Sequence, residues 1–376
     1  MRRIPDSIER LTALRWVGFQ QRTPTTNLSD LHGFGDNPGA LRALTYVPAR
    51  LSRRAPLVVV LHGCTQTAAG YDHGTGWSTL AEREGFALLF PEQARANNPN
   101  LCFNWFASED MARNGGEAES VAQMTRTMVG RHDLDPDRVF VTGLSAGGAM
   151  TAVMLATFPE LFTGGAVVGG LPYGCASGVP QALERMRGLG LSRSCSAAAI
   201  SRASGGHAGR WPSISLWHGT ADATVSPANM DYLGRQWRDV HGINGAAAHV
   251  ERGAGWERRI WRTRDGRNAV EEWSVMGMGH GVPIDPRAPD GLGASGSYML
   301  DVGLSSTAMI ARSWGLTSST GRLETATAPR HRATPDLERG FGRAAPRRSH
   351  RIEPQVASAG VQNVIEDALR AAGLLR

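Results

Sequence analysis

The sequence contains no lysine. All 40 residues in its lysine-plus-arginine total are arginine. This excludes a Schiff-base lysine, a Walker A lysine and a Ser–Lys dyad. Cysteine is scarce, with only Cys64, Cys102, Cys175 and Cys195. None forms a CxxC pair, which argues against a zinc ribbon or a thioredoxin-like motif. An even count permits two disulfides in an oxidising compartment; the local pairing is Cys64 with Cys102 and Cys175 with Cys195, and the sequence leaves it open. No apolar run approaches the ~20 residues of a membrane-spanning helix. The opening stretch MRRIPDSIERLTALRWVGFQ starts with arginines, but Asp6, Glu9, Arg10 and Arg15 interrupt it. It lacks the h-region of ~7–15 residues that a signal peptide needs, and reads as a short amphipathic helix. The formal net charge is +6. The arginine bias is read as a compositional effect of a GC-rich genome and the basic stretch after residue 316 as a solvated arginine run, with no nucleic-acid partner expected.

The chain of 376 residues, 41% of them hydrophobic, can bury one large α/β core with peripheral segments. Short apolar runs recur at LVVVLHG (57–63), FALLFPE (86–92), RVFVTG (138–143), AVVGG (166–170) and SISLWHG (213–219). Helical patterns separate them, including residues 116–132, 146–158 and 227–240. Nearly continuous apolar strands between helices predict a mostly parallel central sheet with helices on both faces. The stretch RRIWRTRDGRNAVEEWSV (258–275) alternates on both sides of Asp265-Gly266, which predicts an edge hairpin. Residues 297–314 read as a closing helix. Beyond residue 316 the composition turns to Arg, Ala, Pro, Ser and Thr, a polar linker ending in the amphipathic pattern VQNVIEDALRAAGLLR. The expected organisation is an N-terminal extension (1–39), a catalytic domain (40–315) and a linker with a terminal helix (316–376).

Gly143-Leu144-Ser145-Ala146-Gly147 follows a strand and opens a helix, the setting in which G-x-S-x-G presents a nucleophile. A serine hydroxyl needs a base, and the base needs an acid to orient it. In this arrangement the chain order is serine, acid, histidine. Asp222 stands at the mouth of the loop after SLWHG, and His280 lies between two glycines after the run VEEWSV. Among rival histidines, His218 is expected to pack at its strand end, and His207 sits in a Gly/Ser-rich loop. Asp285 and Asp290 follow the histidine and so stand in the wrong order. An oxyanion needs two N–H donors. These are expected from Ala146, next to the serine, and from Cys64, in the loop after the first long strand.

With these residues placed, the chain resembles the polyhydroxybutyrate (PHB) depolymerase family of esterases, within the α/β-hydrolase superfamily. The resemblance covers about residues 40–310. It rests on LHGCTQTA (61–68), GTGWSTLAEREGF (74–86), PEQ (91–93), FNWF (103–106), GLSAGGAM (143–150), GLPYGCA (170–176), WHGTADATV (217–225) and GMGHGVP (277–283). It implies an α/β-hydrolase fold and a serine carboxylic-ester hydrolase acting through Ser145, Asp222 and His280. Neither metal nor cofactor is required, and the partner is an ester, small or polymeric. Trp77 and Trp105 are expected to supply an apolar wall for it. The family label also covers enzymes of aryl, acetyl and feruloyl esters. Its secreted members suggest an extracellular setting. The competing class is a non-catalytic binding protein on the same scaffold.

Overall fold

The computed structural model describes residues 26–191, 195–288 and 291–317. The helices expected at the two chain ends, and Asp290, lie outside the described residues. Twelve strands are described: β1 (Ser29–Asp30), β2 (Arg42–Tyr46), β3 (Leu57–Leu61), β4 (Ala87–Glu92), β5 (Val139–Leu144), β6 (Gly164–Val168), β7 (Ser213–Gly219), β8 (His249–Gly253), β9 (Trp256–Arg262), β10 (Asn268–Val275), β11 (Val282–Ile284) and β12 (Met299–Asp301). The helices are α1 (Ala68–Thr75), α2 (Trp77–Glu84), α3 (Gly116–Arg131), α4 (Ala146–Thr157), α5 (Val179–Met186), α6 (Ala197–Ala203), α7 (Ala228–Val240) and α8 (Ser306–Ser313).

Ten strands form one sheet in the order β1-β2-β4-β3-β5-β6-β7-β10-β9-β8. The six central strands, from β4 to β10, run parallel to their neighbours. Antiparallel strands close both edges. The Asp265-Gly266 turn joins β9 to β10 as the hairpin pattern predicts, with Gly266 at φ +83°. Strand β8 extends that edge by one.

Alternation along the strands sends side chains to both faces of the sheet. In β3, Leu57, Val59 and Leu61 enter one core cluster while Val58 and Val60 enter the other. Val121 and Met124 of α3, Met150 and Leu155 of α4, and Leu233 and Trp237 of α7 pack into the first cluster. Tyr71 of α1, Leu80 of α2 and Ile310 of α8 pack into the second. A sheet buried on both faces needs apolar residues at every position, which is why these strands read as unbroken runs.

The stretch 297–314 differs from its expected single helix. It opens with β12, which pairs in parallel with β11. The chain then turns through Gly303 at φ +67°, and the helix starts only where the Ser305 hydroxyl accepts from the Ala308 N–H. A side-chain cap fixes a helix start that periodicity alone leaves undefined. Among the described residues, no helix is long and apolar enough to cross a membrane.

Because β3, β5, β6, β7 and β10 are parallel, their C-terminal ends lie at one edge of the sheet. The segments leaving that edge begin with His62, Ser145, Gly169, Thr220 and Met276.

Candidate active site

Ser145 sits between β5 and α4 with φ 57° and ψ −116°, a backbone conformation that non-glycine residues seldom adopt. Neighbouring bonds hold it there: the Ser145 N–H donates to Val168 O at 2.8 Å, and the Ala149 N–H donates to Ser145 O at 2.8 Å. The flanking glycines are required by close approach. A Cβ on Gly143 would lie 2.5 Å from Gly147 C and 2.7 Å from Leu61 O. One on Gly147 would collide with the backbone oxygens of Leu61 and His62. The helix beginning at Ala146 is buried along its whole length, so its first N–H groups and the positive end of its dipole face the turn in a region of low dielectric.

Asp222, buried beyond the end of β7, is held at both oxygens. Oδ1 accepts from the N–H groups of Thr224 at 2.9 Å and Val225 at 2.8 Å. Oδ2 lies 2.7 Å from His280 Nδ1. Burial by itself would raise this carboxyl. Hydrogen bonds from His218 and His280, with their charge, outweigh it and hold Asp222 well below the usual carboxylate range. Against an ionised acceptor His280 Nδ1 carries the hydrogen, which leaves Nε2 as the basic nitrogen. Such an imidazole can take a proton from a hydroxyl within its reach.

His218 packs at the end of β7 as expected, 3% exposed, and does more. Its Nε2 lies 2.8 Å from Val225 O and 3.3 Å from Asp222 Oδ2. The rival His207 lies against Trp211, with ring centres 5.0 Å apart. Asp285 accepts from the Arg287 N–H and bridges to Leu292.

The loop after β3 is fastened on several sides. Cys64 is joined to Cys102 across a Cα–Cα distance of 4.3 Å. The Thr65 N–H donates to Asn100 O at 2.7 Å, and the Gly63 N–H to Gln66 Oε1 at 2.8 Å. His62 is buried; its Nε2 accepts from the Gln93 N–H, so Nδ1 carries the hydrogen and donates to Gly63 O. Gln93 Nε2 donates to Cys102 O at 2.9 Å and to Glu117 Oε1 at 2.5 Å. Glu117 Oε2 accepts from the Asn104 N–H. Burial, then the nearby charge of Asp110, push the Glu117 carboxyl up to about 8, against the opposing hydrogen bonds of Asn104 and Gln93. Sequence reasoning missed this His62–Gln93–Glu117 chain.

The second local cysteine pairing is not formed. Cys175 and Cys195 are buried and are not bridged to one another. They lie side by side, and the hydrogen bond between them, with burial, pushes the Cys175 thiol up.

Ser145, Ala146, Cys64 and His280 line one cavity of about 400 Å³. Its walls include Trp105, Phe106, Leu171, Val225 and Tyr298, with Val179, Ala182, Leu183 and Met186 along α5. The α5 residues follow i, i+3, i+4, i+7 spacing, a signal present in the sequence but not used. Helix α5 is anchored at Arg185, whose O accepts from Asn229 Nδ2 and whose side-chain Nε donates to Cys175 O. Trp77, expected at the wall, is instead 2% exposed in the second core cluster. It stacks on Trp314 with ring centres 6.2 Å apart and meets Phe86 edge-on. The structure thus brings together Ser145, Ala146, Cys64, Trp105 and His280, with Asp222 behind His280, and sets Trp77 apart.

A mostly parallel sheet covered on both faces, with a strained serine turn and an Asp–His pair at its C-terminal edge, defines an α/β-hydrolase. Residues 41–260 match the family model described as Esterase PHB depolymerase. The chain belongs to that family and is a carboxylic ester hydrolase. It is 41% identical over 292 residues to poly(3-hydroxyalkanoate) depolymerase C of Paucimonas lemoignei, covering 77% of this chain and 70% of that protein. It is 31% identical over 268 residues to feruloyl esterase B of Talaromyces stipitatus, covering 69% of this chain and 73% of that protein. Among solved structures it is similar to the acetyl xylan esterase from Aspergillus awamori, with a TM-score of 0.65 and 26% identity over 78% of this chain and 100% of that one.

Proposed function

We propose that the chain hydrolyses short-acyl esters of the hydroxyalkanoate type through a covalent acyl-enzyme on Ser145. His280 Nε2 takes the serine proton as Oγ attacks the ester carbonyl. Asp222 holds the imidazole in the tautomer that exposes Nε2 and stabilises the imidazolium. The developing oxyanion takes hydrogen bonds from the N–H groups of Ala146 and Cys64. Backbone donors fixed in a dry site need no reorganisation as charge appears, and one such donor contributes ~2.7–4 kcal/mol. His280 then protonates the leaving alcohol, and water repeats the sequence on the acyl-enzyme.

The observation that carries this is the 2.7 Å hydrogen bond between His280 and Asp222, with His280 lining the same cavity as Ser145. The apolar walls from Trp105, Phe106 and α5 favour an aliphatic or aryl acyl group over a bare sugar ring. The polyhydroxyalkanoate relative supports the hydroxyalkanoate choice. A feruloyl or acetyl ester is the second reading, supported by the other two relatives.

Ser145→Ala tests the chemistry. It should fold normally, lose turnover of a short-acyl nitrophenyl ester, and fail to label with a fluorophosphonate. Retained turnover overturns the assignment. Assaying native protein against soluble hydroxybutyrate esters, feruloyl esters, acetyl esters and a polyhydroxybutyrate suspension separates the substrate readings.

A further inference from the structure

His218 lies at the end of β7, four residues before Asp222. Its Nε2 is 2.8 Å from Val225 O, a carbonyl that can only accept. Nε2 therefore carries the hydrogen. The same N–H lies 3.3 Å from Asp222 Oδ2, the oxygen that also receives His280 Nδ1. The His218 side chain is 3% exposed and that of Asp222 1% exposed, so solvent has little room to replace either. The carboxylate thus takes three hydrogen bonds, two from backbone N–H groups at Oδ1 and one from His280 at Oδ2, and the His218 Nε2–H, shared with Val225 O, approaches Oδ2 as a fourth, longer contact.

We propose that His218 is a positioning residue for ester hydrolysis: its Nε2–H fixes Asp222 Oδ2 and disperses the carboxylate charge, which sets how tightly Asp222 holds a proton on His280. This rests on the acyl-transfer reading above. The physical basis is competition for one oxygen. A buried carboxylate with a second donor at Oδ2 presents less charge to the first. It also cannot rotate away from His280 without breaking the His218 contact. The titratable groups facing this cluster are His218 from β7, Asp222 from the following loop and His280 from the loop after β10. Tyr298 stands edge-on to the His280 ring, with centres 6.2 Å apart, and Gly169 contributes backbone alone. A histidine that only filled space would be replaced by any side chain of similar volume.

The test uses the full chain, with His218→Leu and His218→Gln beside Ser145→Ala. Gln can return an N–H close to the position of Nε2; Leu cannot. His218→Leu is expected to lower kcat about tenfold or more with KM little changed, the scale of one lost hydrogen bond to a charged group. The less dispersed carboxylate then holds the His280 proton more tightly, so the acidic limb of kcat/KM moves to higher pH by about half a unit. His218→Gln is expected to restore both kcat and the limb. An unmoved limb in folded His218→Leu, or equal losses in both variants tracking lost thermal stability, overturns the proposal. Where His218→Leu does not fold, His218→Asn replaces it, its amide being too short to reach Oδ2. Asn impaired with a shifted limb and Gln near native supports the proposal; equal behaviour of the two overturns it. Retained turnover in Ser145→Ala would instead reject the acyl-transfer reading itself.

Discussion

Gly169 lies directly against the His280 imidazole. A Cβ added to it would stand 3.2 Å from His280 Cε1, 3.3 Å from Nδ1 and 3.7 Å from Asp222 Oδ2. Its φ of +53° is itself a glycine conformation. Gly169→Ala is therefore expected to displace the imidazole by a few tenths of an ångström or more. Misplacement on this scale should lower kcat by about 10- to 100-fold. The left-handed backbone adds roughly 1–2 kcal/mol of destabilisation. Steady-state kinetics with a melting curve separates the two effects: kcat should fall far more than the residual folded fraction explains.

The Cys64–Cys102 bridge spans 38 residues of sequence. By chain entropy a loop of this size contributes about 4 kcal/mol to stability. The bridge also ties the proposed oxyanion donor to the loop that carries Trp105. Cys102→Ser should lower the melting temperature. It should also reduce kcat at temperatures where the variant is still fully folded. Unchanged kcat in folded Cys102→Ser would remove the bridge from the catalytic account.

Glu117 gives a pH dependence of stability with a definite sign. Its carboxyl is raised from 4.5 to about 8 in the folded chain, first by burial. The folded state then binds more protons than the unfolded state between these values, so stability falls as pH rises through that window. The contribution is fully in place below about 4.5 and lost above about 8. In urea titrations from pH 5 to pH 8, wild type should lose on the order of 2–4 kcal/mol relative to Glu117→Gln. Parallel curves for the two proteins would show that Glu117 stays ionised in the fold.

The apolar face of α5 should set acyl length. Val179, Ala182, Leu183 and Met186 line the cavity. Met186→Trp is expected to reduce kcat/KM for longer-acyl nitrophenyl esters about tenfold more than for the acetyl ester, the scale of one to two methylenes in an apolar pocket. A uniform loss across the series would place Met186 away from the acyl chain.

Much of the scaffold was legible because its signals are local. Apolar runs such as LVVVL and glycine turns such as that at Gly266 depend on a few adjacent residues. Ser145 was legible through its flanking glycines, each of which meets backbone where a Cβ would sit. The roles of His218 and Trp77 were not. His218 lies in WHG exactly as far from Asp222 on paper as many unrelated i, i+4 pairs, and only the turn through Thr220 and Ala221 brings its ring to the carboxylate. Trp77 and Trp105 carry the same side chain, and neither TGWST nor FNWFA says which of them enters the core and which the cavity wall. The cysteines divide likewise: loop distance suggested both pairs equally, yet one is bonded and the other is two thiols in contact.

By itself, the order of residues determined the central strands, the mostly parallel sheet and which residues follow those strands at its C-terminal edge; the short strands β1, β2, β8, β11 and β12 it left unread. Strand periodicity and turn chemistry act over short distances and leave that imprint on the chain. The tertiary structure alone decided which side chains meet: His280 with Asp222, His218 with the same oxygen, Trp105 at the cavity and Trp77 in the core. Contacts between residues tens of positions apart depend on how the layers pack, and packing is a property of the whole chain.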